Sequence, residues 1–228
     1  VRSLIAHNHL NVKMAGCYCG LSDFADGSSH QSVEDMGVLR SIPGITILSP
    51  SDITSTKEAI KAMMEYEGPV YIRLSRQEVS RIYPEDLRIE IGKAQRVREG
   101  KDVTIAVTGA PLAAVLNAAD ILKGEGIEAE ILDYITVKPF DRNTLLESVA
   151  KTGLLVTVEE HSICGGLGSS AAETLGEVFP VAIKRIGMED CFGESGPYAL
   201  LLEKYGISTD NIVKQAKRLL KMKGEKTI

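Results

Sequence analysis

The chain has 228 residues, 44% hydrophobic and 25% charged, which suits one large or, better, two modest globular domains and argues against disorder. The 31 acidic residues against 26 basic ones give a net charge of -5 and a pI of about 5.5, a poor match to nucleic acid, whose phosphates want a basic patch. No apolar run approaches the roughly 20 residues that span a bilayer, and Val1-Arg2-Ser3 is no signal-peptide start, so a cytoplasmic protein without a membrane partner is expected.

Strand and helix alternate along the first part. The pattern predicts a short helix over Val1 to Asn8, a strand from Asn11 to about Tyr18, a helix from Val33 to Arg40 and a strand at Ile45 to Leu48. Pro50 and Ser51 punctuate, and Ile53 to Tyr66 reads as an amphipathic helix with Ile60, Met63 and Met64 on the core side. Pro69 to Leu74 is rich in β-branched and aromatic residues and reads as a strand. Its end delivers Ser75, Arg76 and Gln77 to the carboxyl edge of a parallel sheet, where open α/β sheets place ligands.

Between Gln77 and Asp102 the periodicity weakens, with Pro84-Glu85-Asp86 and a turn at Arg98-Glu99-Gly100-Lys101, and a domain boundary is expected near Arg81 to Glu90. A second α/β unit follows: strands at Val103 to Thr108, Glu128 to Tyr134, Gly153 to Val158 and Ala182 to Arg185, with helices at Pro111 to Lys123, Arg142 to Ala150, Ser169 to Val178, Pro197 to Tyr205 and Thr209 to Met222. Short connections and this order favour right-handed crossovers and mostly parallel sheets. Cys17, Cys19, Cys164 and Cys191 show no metal-binding spacing and read as buried reduced thiols, with Cys17 and Cys19 on one face if their segment is a strand.

The run Asp26-Gly27-Ser28-Ser29-His30-Gln31-Ser32-Val33-Glu34-Asp35 puts a carboxylate and an imidazole in a loop of small residues just before a helix, the composition of a site and not of a core. Gly27 allows a tight bend, and Ser32 with Asp35 three residues on resembles an N-cap with an acidic reciprocal partner. With an ordinary pKa of about 6.5, His30 can donate or accept a hydrogen bond at neutral pH and shuttle a proton. On spacing alone, a histidine that merely caps the following helix is an equal reading. Gly165-Gly166-Leu167-Gly168 could offer amides to an anion, but close packing of helix on strand accounts for it better.

This loop, then Leu39-Arg40-Ser41-Ile42-Pro43, Pro50-Ser51-Asp52 and Ser75-Arg76-Gln77, stand in the order in which transketolases carry a G-E-D-G-x-T-H-Q-like loop, an L-R-x-I-P helix end, a P-x-D helix start and an S-R-Q after a strand. The chain resembles the C-terminal section of the transketolase family, and the likeness continues through Val103 to Gly109, Asp133 to Phe140 and Glu159 to Gly168. The resemblance implies two α/β domains with mostly parallel sheets: an N-terminally truncated thiamine-diphosphate pyrimidine-binding domain at 1–84, then the transketolase C-terminal domain at 85–228. It implies a transferase of carbohydrate metabolism, of the pentose phosphate type, that moves a two-carbon ketol unit from a ketose phosphate to an aldose with thiamine diphosphate and Mg2+. His30 then matches the catalytic position, Asp26 and His30 match positions that contact substrate hydroxyls, and Arg76 matches one that holds the substrate phosphate.

Three departures accompany the likeness. Tyr18, in Cys17-Tyr18-Cys19, stands at a substrate-binding position usually held by a second histidine; a phenol stays neutral at pH 7 and supplies no cation. Its apolar neighbours suggest a packed strand-end aromatic instead. Phe24-Ala25 precede Asp26 where the family has Gly-Glu, so an unusual sugar phosphate or sulfonate is an open reading of the substrate. The family's cofactor-binding glutamate and ring-stacking aromatic lie ahead of the helix at which this sequence starts, so cofactor and metal are expected on missing segments and on an N-terminal transketolase subunit. The resemblance thus implies a homo- or hetero-oligomer and a fragment inactive alone. It places His161 near a subunit interface, in a packing role first. The β subunit of a 2-oxo acid dehydrogenase and a non-catalytic dimerising or regulatory subunit are the alternatives.

Overall fold

The computed structural model describes residues 1–225, so the last three residues of the expected second domain lie outside the described residues. Two sheets organise the chain. The first has the order β1 (Lys13–Cys17), β3 (Val70–Leu74), β2 (Thr46–Leu48), β7 (Thr136–Lys138). Its first three strands are parallel, and β7 runs antiparallel to β2. The second has the order β4 (Gln95–Arg98), β6 (Ala129–Asp133), β5 (Val103–Thr108), β8 (Leu154–Ser162), β9 (Ala182–Met188), all parallel but for β4 against β6. Among the described residues seven α-helices accompany them: α1 (Asp35–Arg40), α2 (Ile53–Glu65), α3 (Leu112–Gly124), α4 (Arg142–Thr152), α5 (Leu167–Val178), α6 (Tyr198–Lys204) and α7 (Thr209–Glu225).

Local chemistry sets the element ends. Asp52 opens α2 with a capping box: its carboxylate accepts from the Ser55 amide at 2.7 Å, and Ser55 Oγ accepts from the Asp52 amide at 2.9 Å. The other Asp52 oxygen takes the amides of Ile82 and Tyr83 at 2.7 and 2.9 Å, which pins the linker between the sheets. Asp141 caps α4, and Gly153 ends it in the left-handed conformation that a glycine adopts at least cost. β5 is buried along its whole length, as the centre of a sheet covered on both faces must be. One core cluster runs from Leu48, Val70 and Ile72 of the first sheet to Val103 and Ile105 of the second, so the halves pack as one body.

Several sequence expectations change. The helix expected over Val1 to Asn8 is a single π-turn at Arg2–Ala6, and β1 ends at Cys17. β4 and β7 add to the strands expected from the sequence; both are short, and each is held by antiparallel pairing to a distant segment. Met63 is in the core, but Ile60 and Met64 are exposed, because α2 buries the side that carries Ala59 and Met63. Of the cysteines only Cys19 is buried. Cys17 ends the outermost strand of its sheet, and Cys164 and Cys191 lie outside helices and strands on the surface.

Candidate active site

The candidate residues gather at the carboxyl ends of β1 and β3. After Cys17 the chain turns sharply, with Tyr18 in the left-handed region at φ 61°. The Cys19 amide then bonds the Leu74 carbonyl at 3.2 Å, the Gly20 amide bonds the Ser32 carbonyl at 2.8 Å, and a 3-10 turn at Gly20–Ser22 leads into the loop 23–31. The loop is knit by Gly27 N to Asp23 O at 3.1 Å and His30 N to Gly27 O at 2.9 Å. Gly27, at φ 78°, is needed there because a Cβ would meet Ser195 Oγ.

Arg76, just past β3, is the centre of the cluster. Its Nη1 donates to Asp23 at 2.7 Å and to Asp26 at 3.4 Å, its amide donates to Ser22 Oγ at 3.1 Å, and its guanidinium lies 5.0 Å from the Tyr18 ring centroid. The Arg76 side chain is 40% exposed, and the hydrogen bonds of its guanidinium among the described residues are made through Nη1. Three of the four sequence candidates, Tyr18, Asp26 and Arg76, therefore touch. His30 stands apart: its Nδ1 pairs with Ser29 Oγ at 2.9 Å, and the ring is exposed. Tyr18 is 51% exposed, which overturns the expectation of a packed aromatic; the left-handed turn swings its ring off the sheet onto Arg76.

The N-cap expected at Ser32 also fails. α1 begins at Asp35 after Glu34 with no side-chain cap, because the Asp35 carboxylate turns inward to Tyr71 Oη at 2.7 Å and Arg73 Nε at 3.0 Å. Sequence reasoning missed Asp23, whose buried carboxylate is the nearest partner of Arg76. Its signal was a second carboxylate in the same small-residue loop, three positions before Asp26.

The family of the transketolase pyrimidine binding domain matches residues 1–81, and that of the transketolase C-terminal domain matches residues 92–212. A 6-deoxy-6-sulfo-D-fructose transketolase subunit, SqwH, of Clostridium sp. (strain MSTE9) is 45% identical over 219 residues, covering 96% of this chain and 68% of that protein. The chain belongs to the transketolase family. A putative transketolase C-terminal section of Methanocaldococcus jannaschii is 39% identical, over 94% of this chain and 68% of its own length. Among solved structures, a split gene transketolase, described as an inactive beta4 tetramer, superposes with a TM-score of 0.91 at 42% identity, over 96% of this chain and 70% of that one. This transketolase-family chain thus spans about two thirds of the length of these relatives.

Transketolases depend on thiamine diphosphate, whose diphosphate needs a cradle of hydrogen-bond donors. The glycine-rich run at 165–168 is where amides at a helix start could hold an anion. Those of Leu167 and Gly168 are already given to the Glu159 carboxylate at 2.8 Å each, and added Cβ atoms at Gly165 and Gly168 would press on Gly37 and Thr157. Among the described residues no group of three or more His, Cys, Asp or Glu is placed to hold a metal. The glycine-rich run therefore serves Glu159 and the close packing of α5 on β8, and its Leu167 and Gly168 amides are not free for a diphosphate.

A buried polar network backs the site. Burial pushes the Glu159 carboxyl up to about 7, against the two amides that favour its charge. His161 is buried and accepts the Gly37 amide on Nε2 at 3.2 Å, so its proton sits on Nδ1, which donates to the Ser162 carbonyl at 2.6 Å. Burial and then the Arg73 charge lower its pKa to about 4, so it packs α1 against β8 as a neutral ring. Among the described residues, no helix is long and apolar enough to cross a membrane.

Proposed function

We propose that this chain is the C-terminal subunit of a cytoplasmic, thiamine diphosphate-dependent transketolase, with a partial pyrimidine-binding domain at 1–84 and the C-terminal domain at 85–228. In this reading it supplies the substrate contacts for moving a two-carbon ketol unit from a ketose phosphate to an aldose. The observation that carries the reading is the convergence of Tyr18, Asp26 and Arg76 at the carboxyl edge of β1 and β3, beside a cleft of about 760 Å³ lined by Ser75, Arg76 and Gln77.

Bound thiamine diphosphate supplies the electron sink for breaking the carbon-carbon bond. Arg76 then holds the terminal anion of the sugar through the exposed edge of its planar fork. Asp26, exposed and anchored only by a 3.4 Å contact, can turn from Arg76 to accept a hydrogen bond from a sugar hydroxyl. His30, exposed in the same loop, donates to or takes a proton from a reacting hydroxyl.

The cofactor diphosphate and Mg2+ belong, in this reading, to an N-terminal subunit that assembles with this chain into an oligomer. Support comes from the amides of Leu167 and Gly168, which are spent on Glu159, and from a relative whose beta tetramer is described as inactive. The test is two-carbon transfer from xylulose 5-phosphate to ribose 5-phosphate by the chain alone and by the chain assembled with its N-terminal partner, thiamine diphosphate and Mg2+. Turnover only in the assembly is expected; turnover of pyruvate in place of ketose transfer would assign the chain to the 2-oxo acid dehydrogenase class.

A further inference from the structure

We infer that Asp23 and Tyr18 set the charge that Arg76 accepts, so that the site prefers a ketose ending in a singly charged sulfonate over one ending in a doubly charged phosphate. The inference rests on the ketol-transfer reading and goes beyond it to the substrate's far end.

Two carboxylates, Asp23 at 2.7 Å and Asp26 at 3.4 Å, face one guanidinium, which leaves the cluster with one net negative charge before any ligand arrives. They differ in freedom. The Asp26 side chain is 55% exposed and can leave when an anion approaches. The Asp23 side chain is 5% exposed, and its carbonyl is clamped by the Gly27 amide at 3.1 Å and by Gln31 Nε2 at 3.4 Å, so its carboxylate stays on Nη1. An incoming anion thus meets a guanidinium whose charge is largely matched by a fixed carboxylate.

Tyr18 removes the other source of positive charge. Where the resembled pattern has a histidine, this chain presents a neutral ring whose π face covers the guanidinium at 5.0 Å. What remains for a ligand is the Nε and Nη2 edge of Arg76, two parallel donors that fit two oxygens of a tetrahedral oxyanion. A sulfonate offers those oxygens with a single charge. A phosphate monoester, whose second pKa is about 6, offers the same oxygens with a second charge at neutral pH that this edge does not balance.

The experiment uses the assembled holoenzyme and a matched pair of donors, 6-deoxy-6-sulfo-D-fructose and D-fructose 6-phosphate, with kcat and KM measured for each between pH 5.5 and 8. The wild type is expected to favour the sulfonate in kcat/KM by about tenfold at pH 7.5, the discrimination of one unmatched charge at a few ångströms from the site in a partly aqueous dielectric. The advantage should narrow toward pH 5.5, where the phosphate becomes a monoanion. Asp23→Asn should move the ratio about tenfold toward phosphate, chiefly through KM. Tyr18→His, at a left-handed position that histidine tolerates, should move it the same way without touching the buried loop. A wild type that prefers the phosphate, or a ratio unmoved by pH and by both variants while turnover persists, overturns the charge assignment alone. No turnover of either donor by the folded assembly overturns the ketol-transfer reading and this inference with it.

Discussion

Arg73 Nε donates to Asp35 Oδ2 at 3.0 Å, with both side chains at least nine-tenths buried, and this pair ties β3 to α1 directly beneath the candidate site. The rest of the fork is used as well: Nη2 donates to the carbonyls of Glu160 at 2.8 Å and Ser32 at 3.3 Å. Arg73→Met strips Asp35 of its cation and should cost about 3–5 kcal/mol in urea unfolding. Burial pushes the Asp35 carboxyl up, but the Arg73 charge and the Tyr71 hydroxyl outweigh it and hold the pKa below the ordinary value. The stabilisation is therefore present above the unfolded value of about 4 and lost as pH falls through the folded one. The stability gap between wild type and Asp35→Asn should shrink below about pH 4; a constant gap would show that Asp35 works through packing alone.

Asp133, at the end of β6, accepts the hydroxyls of Ser51 at 2.7 Å and Tyr83 at 2.9 Å, joining the first sheet and the linker to the second sheet. Burial raises its carboxyl to about 7 against these two donors. The native state then keeps a proton that the unfolded chain loses near pH 4, so this contribution is full at low pH and disappears as pH rises through about 7. Asp133→Asn keeps an acceptor for both hydroxyls and never ionises. Relative to wild type it should gain on the order of 3 kcal/mol between pH 4 and pH 8, read from urea midpoints. Parallel pH profiles for the two proteins would contradict this.

Gly16, in β1, sits over the Tyr71 phenol, where an added Cβ would fall onto the ring and its oxygen. Tyr71 cannot yield easily, since its hydroxyl is fixed on Asp35 Oδ2. Gly16→Ala should lower stability by about 1–3 kcal/mol, the range for overpacking. In a Tyr71→Leu background the same substitution should cost little; an equal cost in both backgrounds would place the strain elsewhere.

For the assembled enzyme, His30→Ala should lower kcat by about 10²-fold with the thermal midpoint unchanged, because the ring is exposed and bonded only to Ser29. Arg76→Ala should instead raise KM for ketoses with a terminal anion by about tenfold or more and leave kcat near its starting value. Equal kinetics for wild type and both variants would remove these residues from the site.

Strands such as β5 could be read from an apolar run, and α2 from Pro50-Ser51-Asp52, because burial on both faces and a capping box leave local marks. β7 left none: Thr136–Lys138 is three residues long, and its partner Ile47 lies about ninety positions away. The same limit applies to the site. Asp26 and His30 were visible as polar residues in a thin loop, whereas Asp23 resembled any loop carboxylate until Arg76 was brought against it from β3.

By itself, then, the sequence determined the alternation of strand and helix, the transketolase pattern and the loop in which Asp26 and His30 lie, since each is written in periodicity or in adjacent residues. Only the tertiary structure decided that Tyr18 turns outward to cover Arg76, that Asp35 serves Arg73 and not a helix cap, and that Glu159 fills the helix start a phosphate would need. Those outcomes depend on which distant charge, ring or amide arrives at hydrogen-bonding distance, and that is fixed by packing across two sheets and not by spacing along the chain.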